Sequence, residues 1–163
     1  MTAIEFVVTL EYIRQKARSK EGRNLFKYIR KINRALARHG IKKRLLSKPD
    51  LPELYFIYTL LNSKLPEQDI AIKLLEHIVP YVANAWTFTI NSLHRSKKQQ
   101  SFTLTIHPLC PDIAGTSIVA FPTKNGVRFE IHRGDFFKEG CLDDIIDDIV
   151  SILLLYKAAS GGD

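Results

Sequence analysis

The chain has 163 residues, 45% hydrophobic and 25% charged, with a formal net charge of +7; these are the proportions of one folded globular domain, not of a disordered segment. Two cysteines, Cys110 and Cys141, are too few for a disulfide scaffold or a four-cysteine zinc site, and the longest apolar stretch, Ile149 to Tyr156, is interrupted by Ser151 and too short to span a bilayer. Glu5 and Glu11 sit among the first apolar residues and no basic leader precedes them, so the expectation is a cytoplasmic chain with reduced thiols, no secretory signal and no membrane partner.

Residues 3–19 fit two patterns. Ile4, Phe6, Val8 and Leu10 alternate as in a strand, yet Ile4, Val7, Val8 and Phe6, Leu10, Ile13, Ala17 also lie on helical faces. Thr2 stands three residues before Glu5, the spacing at which a hydroxyl and a carboxylate cap each other's backbone amides, and this favours helix. Ser19 to Gly22 reads as a break.

The next segment has the clearest pattern. Leu25, Ile29, Ile32 and Leu36 recur at intervals of four, three and four, forming one apolar stripe. Arg23, Lys27, Arg30, Lys31, Arg34 and Arg38 fall on the other side of the same helix. Gly40 supplies a stop, because glycine accepts the left-handed conformation that closes helices. The basic character continues through Lys42, Lys43 and Arg44.

Pro49 and Pro52 bracket a loop in which Asp50 can cap a short helix carrying Leu54, Ile57, Tyr58 and Leu61. Pro66 opens another, with Ile70, Leu74, Leu75 and Ile78 inward, ending near Pro80. After residue 85 the period falls to two. Trp86, Phe88 and Ile90, then Phe102, Leu104 and Ile106, alternate with polar residues across a basic hairpin loop, His94 to Gln100. Ser117 to Phe121 and Val127 to Ile131 flank Asn125-Gly126, a strong hairpin signal. Arg133-Gly134-Asp135 reads as a turn. A last helix over 142–159 buries Leu142, Ile145, Ile149, Ile152 and Tyr156 and exposes Asp143, Asp144, Asp147 and Asp148. The expected fold is therefore a single α+β domain over 1–163. A mainly helical amino-terminal half (1–82) packs on a four-stranded antiparallel β-meander (85–132), closed by the carboxy-terminal amphipathic helix.

Charge is unevenly placed along this scheme. Residues 1–48 hold fourteen Lys or Arg against three acids, a balance of +11, whereas 49–163 hold ten against fourteen, a balance of −4. Such asymmetry marks a surface for a polyanion or an acidic protein. Arginine can grip phosphate oxygens through two parallel bonds and lysine acts as a point charge. The expected nucleic-acid contacts are Arg23, Lys27, Arg30, Lys31, Arg34, Arg38, Lys42, Lys43 and Arg44, joined by Arg95, Lys97 and Lys98 at the hairpin tip. RNA is preferred over duplex DNA because no helix-turn-helix spacing is evident. The same stripe has a competing use, since the aspartates of 143–148 form an acidic face of similar length. Docking of the two, within a chain or between copies, would make this a protein-assembly subunit whose acidic partner is itself or another protein.

A third reading is enzymatic. Alternation puts Thr87, Thr89, Thr103, Thr105, His107, Arg128, Glu130 and His132 on one sheet face, where imidazoles, a carboxylate and a guanidinium can cleave RNA without metal. Alternation alone also groups polar residues on any amphipathic sheet, so no catalytic residue is assigned and the expected function is non-enzymatic. Neither a cofactor nor a metal is expected: the aspartates lack a further ligand, His77 has no histidine partner at ligand spacing, His39 suits a helix end, and both thiols read as isolated and buried. Tyr12 and Tyr28 are the candidates for stacking on bases. No stretch carries a family motif.

Overall fold

The computed structural model of the protein describes residues 2–20, 22–83, 88–96 and 101–159, with 92–96 described by backbone alone. Among them are helices α1 (Ala3–Lys16), α2 (Arg23–Arg38), α3 (Leu51–Asn62), α4 (Glu67–Val82) and α5 (Leu142–Ala159). The strands are β1 (Phe88–Ser96), β2 (Ser101–Pro108), β3 (Thr116–Thr123), β4 (Gly126–Arg133) and β5 (Phe136–Gly140). The fold is mixed α+β, with a five-stranded antiparallel meander in the order β1-β2-β3-β4-β5 and a carboxy-terminal helix.

Local chemistry sets most of the helix ends. Thr2 and Glu5 form the capping box, with Thr2 N donating to Glu5 Oε2 at 3.1 Å and Glu5 N to Thr2 Oγ1 at 3.2 Å, so the ambiguous first segment is helical. Gly22 opens α2 where any side chain would collide with the end of α1: a Cβ there would lie 2.2 Å from the Lys16 carbonyl oxygen. Gly40, at φ +72°, ends the same helix as expected. Asp50 caps α3 by accepting from Glu53 N at 2.8 Å. Helix α4 runs two residues beyond Pro80 instead of ending there, since an exposed proline in the last turn forfeits only one backbone bond.

The sheet has one strand more than the sequence pattern suggests. Arg133 pairs with Phe136 across Gly134 (φ +55°) and Asp135, and β5 then follows β4 in register to the Phe129–Gly140 pair. Its five residues place Phe136 and Phe137 side by side, which hides the period-two signal. The β3–β4 hairpin closes at Thr123–Gly126. His94, Arg95 and Ser96 pair with Thr103, Phe102 and Ser101 as strand residues instead of loop residues. Trp86, Thr87, Lys97 and Lys98 lie outside the described residues.

Helices α4 and α5 pack on one face of the sheet. Phe88, Phe102, Leu104, Ile106, Ile118, Ala120, Phe129 and Ile131 are buried beneath them, the alternation expected of a sheet covered on one side. One cluster of buried residues joins these to Ile13, Ile32, Leu36, Leu54, Ile57 and Leu75 of the helices. No helix among the described residues is long and apolar enough to cross a membrane.

Candidate nucleic-acid interface

Helix α2 buries Leu25, Phe26, Tyr28, Ile29, Ile32, Ala35 and Leu36 against its neighbours, α4 and α5 among them. Its cations therefore divide by azimuth. Arg23, Lys27, Arg30 and Arg34, at intervals of four, three and four, form the outermost row and are exposed. Lys31 and Arg38 sit toward α5 and meet its aspartates. Lys31 Nζ is 2.8 Å from Asp143 Oδ2. Arg38 donates from Nη2 to both Asp147 oxygens at 3.1 Å and from Nε to Oδ1 at 3.2 Å. His39 Nε2 lies 2.9 Å from the same Oδ1, so this histidine does stand at the helix end, but held by a carboxylate. Burial pushes the Asp147 carboxyl up, yet the hydrogen bonds from His39 and Arg38 prevail and hold it below the usual carboxylate range.

The rest of the acidic face is also engaged. Asp148 Oδ2 accepts from Lys138 Nζ at 2.6 Å, and the contact raises the Lys138 ammonium above its ordinary value. Asp144 Oδ2 accepts from Cys141 N at 3.0 Å and Cys141 Sγ at 3.1 Å, which lowers its carboxyl. Each of the four aspartates thus has a partner within its own chain, and Lys31 and Arg38 of α2 meet the acidic face of α5 inside the molecule. No group of three or more potential metal ligands occurs among the described residues. Cys141 is exposed and Cys110 half-buried, so neither is the buried thiol expected; Cys141 immediately precedes α5, and the first-turn Asp144 carboxylate reaches back to accept from its amide and thiol.

The basic run after α2 turns inward. Lys43 Nζ lies 2.8 Å from Glu53 Oε1, a carboxylate with 0% exposure, and 4.5 Å from the Tyr81 ring centre. Glu53 also accepts from Leu46 N at 3.2 Å, and His77 Nε2 stands 3.3 Å away with its ring stacked on Phe56. Burial pushes the Glu53 carboxyl up, but the hydrogen bonds from His77, Lys43 and the Leu46 amide outweigh it and leave it below its ordinary value. Arg44 donates to the carbonyls of Ile41 and Lys43. Lys43 therefore clamps the loop onto α3 and α4, Arg44 braces the loop's own backbone, and only Lys42 of the trio is exposed.

The expected surface accordingly shrinks to Arg23, Lys27, Arg30, Arg34 and Lys42, with Lys31, Arg38, Lys43 and Arg44 committed to partners of their own chain. Lys27 is 3.9 Å from Glu67 Oε1, a loose pair. Arg23, Arg30, Arg34 and Lys42 have no acidic partner among the described residues. The Arg95 side chain lies outside them, as do Lys97 and Lys98.

Two cations of the basic total that were not expected at the surface site also face water. Arg14, in the last turn of α1, and Arg18, just beyond its end, are exposed and, with Glu11 and Gln15, line a shallow recess of about 430 Å³. Their four-residue spacing within the segment expected to be helical was the available signal.

Tyr28 is no stacking platform. It is buried and donates to Glu67 Oε1 at 2.6 Å, and burial together with that carboxylate raises its hydroxyl well above the ordinary value. Tyr12 donates to Asn62 Oδ1 at 2.9 Å and packs against Tyr58.

On the open sheet face His107, Arg128, Glu130 and His132 do lie on the side away from the helices. His132 Nε2 and Glu130 Oε1 are 2.9 Å apart, while Arg128 Nε donates to Glu139 Oε1 at 3.2 Å. The register aligns His132 with Ser117 and Ser117 with Thr105. His107 is thus two strands over and two residues along, roughly 12 Å from His132 between Cα atoms. No protein-family model, curated protein or solved structure matches this chain.

Proposed function

We propose that the chain is a non-enzymatic nucleic-acid-binding domain or accessory subunit that contacts phosphates through the outer row of α2. The observation that carries this reading is the set Arg23, Lys27, Arg30 and Arg34, which faces water along about 16 Å of helix axis while the neighbouring cations of the same helix are matched by aspartates. A row of exposed cations about one turn apart, three of them guanidinium groups with no acidic partner among the described residues, suits the repeating charge of a nucleic-acid backbone, and displacement of condensed counterions supplies the driving force. Lys42 extends the row, and Arg95, Lys97 and Lys98 are proposed secondary contacts. RNA is preferred because the connections flanking α2, residues 17–22 and 39–50, are longer than a helix-turn-helix turn.

Protein purified in moderate salt should carry nucleic acid, giving an absorbance ratio at 260 over 280 nm that falls after ribonuclease treatment. A ratio typical of bare protein at low salt, with no shift of labelled RNA or DNA in a binding assay, would remove the reading.

The second reading, an assembly subunit, is favoured by one separate observation. Ile4, Val7 and Val8 on the outer face of α1 are 61–76% exposed, the kind of apolar strip that protein partners cover. Light scattering after nuclease treatment separates the two: an oligomer free of nucleic acid that persists in high salt favours assembly through this strip.

A further inference from the structure

The two edges of the sheet are built differently. On β1 the pairing with β2 shifts register between Asn91 and His94, an irregularity that discourages a further strand from adding. On β5 the pairing is continuous from Arg133–Phe136 to Phe129–Gly140. No proline interrupts it, and Phe136 and Phe137 are 42% and 53% exposed. Among the described residues nothing hydrogen-bonds to its outer side, so alternate amide and carbonyl groups of β5 face outward unpaired.

Beside this edge lies a recess of about 220 Å³, lined by Arg133 and Phe136 from the hairpin and by Asp148, Ser151 and Ile152 from α5. Arg133 is held at its base. The guanidinium carbon lies 5.8 Å from the centre of the Tyr156 ring, and that ring is anchored by its hydroxyl to Thr116 and to the Ala114 carbonyl. Arg133 Nε is buried and has no hydrogen-bond partner, which is uncommon for a buried donor. Asp148, the acid in the recess, is committed to Lys138, leaving one unmatched positive charge.

We propose that the β5 edge binds an extended segment of a partner protein by strand addition, with an acidic side chain of that segment seated on Arg133. Backbone pairing to β5 supplies affinity, and the recess beside the edge supplies side-chain selectivity. The guanidinium fork donates to the carboxylate, the Ser151 hydroxyl offers a further donor, and Phe136 and Ile152 enclose the aliphatic stem. Residues flanking the acid point to the open sheet face beside Phe137 and are apolar.

A second copy of the chain does not meet this requirement. In β5 the residues on the helix side of the sheet are Phe136, Lys138 and Gly140, so a two-fold pairing of β5 with itself brings no carboxylate to Arg133 and can set Lys138 against Lys138.

The probe is a capped, fluorescein-labelled peptide, Lys-Thr-Val-Glu-Val-Thr-Lys, followed by fluorescence anisotropy. Saturable binding is expected, weakened at least tenfold when the peptide's glutamate is changed to glutamine, when alternate peptide nitrogens are methylated, or in Arg133→Gln. Ser151→Trp, an exposed substitution on α5 that fills the recess without touching the core, should weaken it as much and serves if the Arg133 variant does not fold. No saturation at millimolar peptide, equal affinity for the glutamate and glutamine peptides, or undiminished binding by Ser151→Trp would overturn the proposal. So would a nucleic-acid-free dimer that Phe137→Lys dissociates, which would assign the edge to a second copy.

Discussion

Two rows of cations run along α2 in different surroundings. The row toward α5 holds Lys31 and Arg38, and each has a carboxylate within hydrogen-bond reach. The outer row holds Arg23, Lys27, Arg30 and Arg34, with only a loose pair at Lys27 among the described residues. Residue type and helix are the same, so the neighbour decides the role. Matched cations fix α2 against α5; unmatched ones leave a local field that a polyanion can neutralise. A balance of +11 over the first 48 residues therefore overstates the available surface.

The comparison can be pressed hardest where matching is most complete. In Glu53→Gln the nearly enclosed Lys43 loses its counter-charge, and stability should fall by about 3 kcal/mol, lowering Tm by roughly 6–12 °C. Because the Glu53 carboxyl is depressed in the folded state, its contribution is full above the ordinary carboxylate value and is lost as pH falls through the lowered one. Urea titrations at neutral and acidic pH should show the gap between wild type and variant closing in acid. A gap of constant size would contradict the assigned network.

A smaller effect is expected at the α2–α5 seam. Asp147→Asn removes the partner of Arg38 and His39, but the group is about half exposed, so the loss should be about 1 kcal/mol. Its carboxyl is likewise depressed, and the loss should also fade as pH drops. Nucleic-acid affinity should rise slightly or hold, since Arg38 is released from its carboxylate. Reduced affinity would mean that Asp147 positions the interface instead of masking part of it.

Least change in stability belongs to the outer row. Arg23→Gln, Arg30→Gln and Arg34→Gln should each alter unfolding free energy by no more than about 0.5 kcal/mol, as exposed substitutions without partners do. A clear loss of stability would show that these groups have structural partners after all.

What the sequence shows, it shows through short-range chemistry. Thr2 with Glu5, Asp50 and Gly40 mark helix ends because a cap and its amide lie within four residues. The alternation of Phe102, Leu104 and Ile106 exposes the buried sheet face for the same reason. Strand β5 escapes because two adjacent phenylalanines erase the alternation in a five-residue element. The acidic face of α5 was visible, but which cations it takes depends on how two helices more than a hundred residues apart come together. Glu53 gave no signal at all. It occupies the third position of a capped helix, where a glutamate ordinarily reaches back to the cap amide, and instead it turns inward to Leu46, Lys43 and His77.

The most direct test of the two-row account is the salt dependence of binding to a labelled single-stranded RNA. Wild type is compared with the outer-row triple Arg23→Gln/Arg30→Gln/Arg34→Gln and the inner-row double Lys31→Gln/Arg38→Gln. Five phosphate contacts, the outer row with Lys42, give a slope of log K against log salt of about −3.5, and the outer-row triple should flatten it to about −1.4. The inner-row double should keep the wild-type slope. Equal slopes for wild type and the outer-row triple, or flattening by the inner-row double instead, would contradict the account.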